Sequence, residues 1–203
     1  MKLNWVETLV MNNAVRRRVQ RRVEGPGLAA LAPYILEGGR TLVVGCGRGV
    51  DIEIAFDQFR ARSVTAFDLD QRQVARARRR LGQVYGDRLG LEVADAGKMP
   101  YADGSFDLVL DFGIIHHVPR WQDAVGEIHR VLRRGGQFLF EEIPKKELDT
   151  LVYRIFTRHP RDNRFDPSAF RAECERRGLE IGDRLEHFRI LGFRAFRGAA
   201  VKL

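Results

Sequence analysis

Three glycines alternate in Gly45-Cys46-Gly47-Arg48-Gly49, directly after the apolar run Thr41-Leu42-Val43-Val44. Glycine lets a backbone approach a ligand closely, and a helix opening just after such a loop favours negative charge at its N-terminus. A carboxylate, Asp68, closes a second apolar run about 20 residues on, where it can accept two hydrogen bonds from ribose hydroxyls. Asp95 closes a third run, where a carboxylate can accept from an exocyclic adenine amine. The chemistry suggested is nucleoside binding. A dinucleotide fingerprint would need glycine at position 50, which is Val50, and that strains a nicotinamide reading. Asp70 is expected to cap the next helix rather than bind.

More reactive side chains follow. Asp111 ends a fourth apolar run, His116 and His117 come just after it, and Glu141-Glu142 ends a fifth. A neutral imidazole suits a general base at cellular pH, so His116 is the candidate catalytic residue; a structural role for the His-His pair is the competing reading. Either glutamate can hold a cationic amine or cap the segment after it. Cys46 and Cys174 lack metal-type spacing, no metal is expected, and Cys174 reads as a small core residue.

Elements must bring these residues together. Strands are expected at 41–44, 63–67, 88–94, 106–112 and 137–143, with helices at 51–59, 70–81 and 121–132, the last stopped by Gly135-Gly136. Strands alternating with helices predict a doubly wound, mostly parallel α/β sheet with ligands at the carboxyl ends of its strands. Residues 5–37 read as a helical N-terminal extension, broken near Gly25-Pro26-Gly27. A helix from Pro167 to Arg177 and two last strands, 179–185 and 193–201, complete seven. The last two are expected to be antiparallel neighbours, because too little chain joins them for a crossover. The expectation is one domain over 1–203, with 1–37 as the extension and 145–165 as a possible substrate lid.

The chain has 203 residues, 44% hydrophobic and 31% charged, which excludes wholesale disorder. No apolar run is long enough to span a bilayer, no secretory signal is evident, and two cysteines fit a reducing, cytoplasmic setting. The net charge is +8, nearly all of the excess being arginine, in one cluster at Arg16-Arg17-Arg18 with Arg21-Arg22 and another at Arg76 with Arg78-Arg79-Arg80. Such clusters suit nucleic acid or anionic lipid, or simply a solvated helix face, and the solvated face is preferred. The first lies in an amphipathic stretch compatible with weak contact at a membrane surface.

With these residues in place, the chain resembles the class I S-adenosylmethionine-dependent methyltransferases, in their small-molecule group called type 11. The resemblance rests on Gly45-Cys46-Gly47-Arg48-Gly49, Ala66-Phe67-Asp68, Ala94-Asp95-Ala96, Met99-Pro100-Tyr101 before Ser105-Phe106-Asp107, Ile115-His116-His117-Val118-Pro119, and Val131-Leu132-Arg133-Arg134-Gly135-Gly136. It implies S-adenosylmethionine as cofactor and S-adenosylhomocysteine as product. It implies a cofactor site of Gly45, Cys46, Gly47, Gly49, Asp68, Leu69, Asp95 and Ala96, with Gly45 and Gly47 at the methionine part, Asp68 at the ribose, and Asp95 with Ala96 at the adenine. One departure stands out. The family's acidic residue two positions before the first glycine is Val43 here, and Asp111 is expected to pair with the methionine ammonium in its place. The acceptor implied is a small or amphiphilic molecule. The alternative is a non-catalytic member of the same fold, binding the cofactor or a partner, and RNA binding through the arginines is a third reading. The base-methylating enzymes of nucleic acid are not matched: Asp111-Phe112-Gly113-Ile114 stands where their Asn-Pro-Pro-Tyr run would be, and neither cysteine suits a nucleophile there.

Overall fold

The structure is a computed structural model that describes residues 13–34, 37–150, 160, 162–190 and 192–203. The strands are β1 Arg40–Val44, β2 Ser63–Asp68, β3 Leu89–Val93, β4 Phe106–Phe112, β5 Leu132–Glu142, β6 Leu179–Glu180, β7 Leu185–Ile190 and β8 Phe193–Lys202. The helices are α1 Ala14–Val19, α2 Gly25–Leu31, α3 Val50–Asp57, α4 Gln71–Tyr85, α5 Trp121–Val131, α6 Lys145–Leu148 and α7 Pro167–Arg176. One sheet runs β3-β2-β1-β4-β5-β8-β6, with β7 also paired to β8. The first five strands in that order are mutually parallel, and β8 lies antiparallel to β5, β6 and β7.

The period-two pattern explains why β1 is apolar on both sides. Leu42 and Val44 face one apolar layer with Val109, Phe138, Phe140 and helices α5 and α7. Val43 faces the other, with Leu108, Leu110, Leu139, Leu28 and helices α3 and α4. A parallel strand covered on both faces needs no polar residue. Helix α5 supplies Trp121, Ala124, Val125, Ile128 and Val131 at helical spacing, all buried. Helix α4 starts where expected: the Asp70 side chain accepts from the Arg72 N–H at 3.0 Å. Asp166 caps α7 in the same way through the Ala169 N–H, with Pro167 in the first turn.

Three expectations change. Gly25-Pro26-Gly27 does not break the N-terminal helix. A π-helical turn at Gln20–Glu24 joins α1 to α2, and Pro26 falls in the first turn of α2, where a missing N–H costs little. Both glycines are there for close approach: a side chain at 25 would overlap Gln58, and one at 27 would overlap Arg197. Second, α5 ends at Val131 without Gly135-Gly136, because Leu132 is already extended and begins β5. Third, the sheet has eight strands rather than seven. The turn at Gly182 divides the expected sixth strand into β6 and β7, both bordering β8. The antiparallel neighbours expected at the C-terminal end are present. The start of the expected N-terminal extension and the middle of the 145–165 segment lie outside the described residues.

Three arginines of the first cluster pair with carboxylates of the fold. Arg16 pairs with Glu24, Arg17 with Glu53 at 3.0 Å and Arg21 with Asp57 at 2.7 Å. Among the described residues no helix is long and apolar enough to cross a membrane.

Of the glycines within the described strands, the most closely packed is Gly198, between Phe140 on β5 and Leu185 on β7. A Cβ there would sit 2.5 Å from Phe140 Cζ and 2.8 Å from the Arg184 carbonyl oxygen. Gly198→Ala is expected to cost about 1–3 kcal/mol in urea unfolding; an unchanged midpoint would mean that β8 can shift away.

Candidate active site

The loop after β1 is tied to the end of β2. The Cys46 N–H donates to the Phe67 carbonyl at 2.7 Å, and the Gly47 N–H donates to Asp68 Oδ2 at 3.1 Å. Gly45 and Gly47 both have positive φ, 71° and 44°. A Cβ on Gly45 would fall 2.5 Å from the Ile114 side chain, so only glycine lets β1 and the turn after β4 meet. A Cβ on Gly47 would meet nothing within 4 Å, because that residue borders open space. Asp68 also accepts the Asp70 N–H at 2.9 Å. Burial pushes its carboxyl above the ordinary range, and the two N–H groups act against that shift.

Two cavities open along the carboxyl ends of β1 to β4, of about 610 and 320 Å³, and share Gly45, Asp68, Gln73 and Ile114. The larger holds Gly45, Cys46 and Gly47, with Gln20 from the π turn, Asp51 from the start of α3 and Phe112. The smaller holds Asp68, Leu69, Ala94, Asp95, Ala96 and His117. Seven of the expected cofactor residues therefore line this cleft of two adjoining cavities: Gly45, Cys46, Gly47, Asp68, Leu69, Asp95 and Ala96. Gly49 lies behind it, where a Cβ would strike Leu81. Burial pushes the Cys46 thiol up, so it stays protonated and unreactive.

Asp111 and His116 are not among the residues lining this cleft. Asp111 is fully buried, accepts from the Ile114 N–H at 2.9 Å and lies against Glu142. Glu142 in turn accepts from the Ile115 N–H at 2.7 Å, from the His116 N–H at 3.3 Å, and approaches His116 Nδ1 at 2.5 Å. Burial, then the Glu142 charge, push Asp111 well above the carboxylate range, and burial pushes Glu142 up to about 7. Both carboxyls are thus held above the ordinary carboxylate range. On the sheet's other face Glu141 is buried and raised by burial, then by the Glu24 charge.

Asp51 escapes a reading by sequence, because an acid in a helix's first turn ordinarily serves the helix dipole. Here it is buried, lines the larger cavity and accepts from Gln20 Nε2 at 2.8 Å. Burial pushes it up to about 8, with the Arg16 charge opposing.

These carboxyls bind protons in the folded chain that they release when unfolded, where their pKa is about 4. Their contribution to stability is full below that value and is lost as pH rises through the folded values of about 7 for Glu142 and about 8 for Asp51. His129, lowered by partial burial and then by the Lys202 and Arg177 charges, is a single group acting in the opposite direction. The ligand-free protein is therefore expected to melt several degrees lower at pH 8 than at pH 5, by calorimetry, and Asp51→Asn should flatten the slope. A rising melting temperature over that range would contradict the assignment.

A family model described as a methyltransferase domain matches residues 42–140. The ubiquinone/menaquinone biosynthesis C-methyltransferase of Methylobacterium nodulans is 32% identical over 187 residues, covering 90% of this chain and 68% of that protein. The 27-O-demethylrifamycin SV methyltransferase of Amycolatopsis mediterranei is 36% identical over 135 residues, covering 64% of this chain and 46% of that one. The chain thus spans about two thirds of the length of the first and under half of the second. A SAM-dependent methyltransferase of Aquifex aeolicus shares the fold, with a TM-score of 0.75 at 16% identity over 100% of both chains. The glycine loop, the carboxylate closing β2 and the extent of the match together place the chain in the class I S-adenosylmethionine-dependent methyltransferases.

Proposed function

We propose that this chain transfers a methyl group from S-adenosylmethionine to a small or amphiphilic acceptor. The observation that carries the reading is the pair of adjoining cavities that runs from Gly47 past Asp68, which lines both, to Asp95 and Ala96. The residues fit the cofactor. The space beside Gly47 is open, and Asp68 keeps lone pairs for two ribose hydroxyls after accepting two N–H groups. Leu69 is 42% exposed beside Asp68 and offers an apolar surface to a base, with Asp95 beyond it at the adenine end. The two buried, free cysteines suit a reducing cytoplasm.

When bound, the cofactor supplies a methyl group already activated on a sulfonium. The chain's tasks are to orient the acceptor and keep water out. Val43 lies in the apolar layer and holds no charge. Asp51 takes over the cationic end of the methionine part, rather than Asp111, because Asp51 lines the cleft and Asp111 does not. Gln20 orients the Asp51 carboxylate. His116 is a positioning residue: through Glu142 it fixes the turn Ile115–His117, and this turn carries Ile114 and His117 into the cleft. An acceptor that is already nucleophilic needs no base.

A cation pairs only with ionised Asp51, so below its free value of about 8 binding must expel a proton. S-adenosylhomocysteine affinity is expected to tighten by up to about tenfold per unit as pH rises from 6 to 8. Asp51→Asn should weaken binding about tenfold at pH 8 and remove the pH dependence, while Asp111→Asn leaves affinity within about twofold. The reverse ranking would return the role to Asp111. For the reaction, protein incubated with methyl-labelled cofactor and a cell extract should label an extract component, and Asp68→Ala should abolish the label. Cofactor binding with no labelled product would contradict methyl transfer.

A further inference from the structure

The two arginine clusters, about 60 residues apart in sequence, converge on the mouth of the larger cavity. Arg17 comes from α1, Arg48 from the glycine loop, and Arg76, Arg79 and Arg80 from α4. Spacing i, i+3, i+4 puts the last three on one face of α4, whereas Arg78 turns away and donates to the Leu91 carbonyl at 2.6 Å.

Among the described residues neither Arg76 nor Arg79 has an ion pair. Glu53, beneath the rim, pairs with Arg17, Arg21 and Arg80. Asp51 and Asp68 line the same cavity but are engaged with Gln20 and with backbone N–H groups. Arg76 reaches Gln73 at 3.4 Å, and Arg79 is exposed. The cofactor does not supply partners for both, since it carries a sulfonium, an ammonium and only one carboxylate. Phe112 and Ile114 form an apolar floor at the end of β4 in the same cavity.

We propose that Arg76 and Arg79, with Arg48 and Arg17, form an anion site for a phosphate or carboxylate group of the acceptor, whose apolar body lies over Phe112 and Ile114. This rests on the methyl-transfer reading for calling the ligand an acceptor, but the anion site itself can be tested without the cofactor. Guanidinium forks match both anions in geometry.

The test is calorimetric titration with inorganic pyrophosphate, with and without S-adenosylhomocysteine, beside flotation with phosphatidylcholine vesicles lacking or containing phosphatidylglycerol. The double variant Arg76→Glu with Arg79→Glu is compared with Arg62→Glu with Arg134→Glu, a same-charge pair at the opposite edge of the sheet. Expected is saturable pyrophosphate binding weakened about tenfold or more in the first variant and unchanged in the second, with S-adenosylhomocysteine affinity within about twofold throughout. Flotation that requires phosphatidylglycerol and is lost in the first variant alone assigns the anion to a lipid headgroup; pyrophosphate binding without flotation assigns it to a soluble acceptor. No pyrophosphate binding and no flotation, equal loss in both variants, or collapse of S-adenosylhomocysteine affinity in the first variant overturns the anion site. If the wild-type protein binds pyrophosphate but not S-adenosylhomocysteine, the methyl-transfer reading fails and the anion site stands.

Discussion

The hydrogen bond from the Gly47 N–H to Asp68 joins the loop after β1 to the end of β2, and the cleft's architecture follows from it. It exists because β1 and β2 run parallel and in register from Arg40 with Ser63 to Val44 with Phe67, so both strands end at the same edge. It requires Gly47 to adopt a backbone conformation that other residues rarely take. With the loop held there, the start of α3 faces the cavity and Asp51 comes with it. The close approach of Gly45 to Ile114 then brings the turn after β4 to the same edge.

The two faces of the sheet handle buried charge differently. On the α5 and α7 side, the buried Asp111 and Glu142 hold the turn after β4 by accepting the Ile114, Ile115 and His116 N–H groups. On the side covered by the N-terminal helix, Glu24 and Glu141 are buried near Arg16 and Arg197, and Asp51 at their margin reaches the cavity. Carboxyls raised by burial strengthen a fold while protonated, and a cation drawing one into its ionised form couples binding to proton release. Asp51 is the member placed to make that exchange with a ligand.

Much of this was legible in the residues. The glycine loop, the carboxylates ending β2 and β3, and the Asp70 cap follow from local pattern, because each depends on neighbours a few positions away or on strand ends. The parallel order followed from strands alternating with helices. The burial of Asp111 and His116 outside the cavity lining did not follow. Position at the end of β4 places a residue at the right edge, but whether it faces the cleft depends on which face of the strand it occupies and on Glu142, 31 residues from Asp111. Asp51 and Gln20 also lie 31 residues apart, and only the π turn at Gln20–Glu24 brings them together. The arginine clusters read as solvated faces because their convergence is tertiary. Gly25 and Gly27 read as breakers because sequence does not show the side chains packed against them.

Cofactor binding at this edge underlies every role assigned to Asp68, Asp51 and Asp95. It is tested most directly by calorimetric titration of the intact chain with S-adenosylmethionine and S-adenosylhomocysteine, with NADH as control and Asp68→Ala alongside. Saturable one-to-one binding of both sulfur compounds, none of NADH, and loss of binding in the variant are expected. Absence of binding by the wild-type chain, or equal binding by the variant, would contradict it.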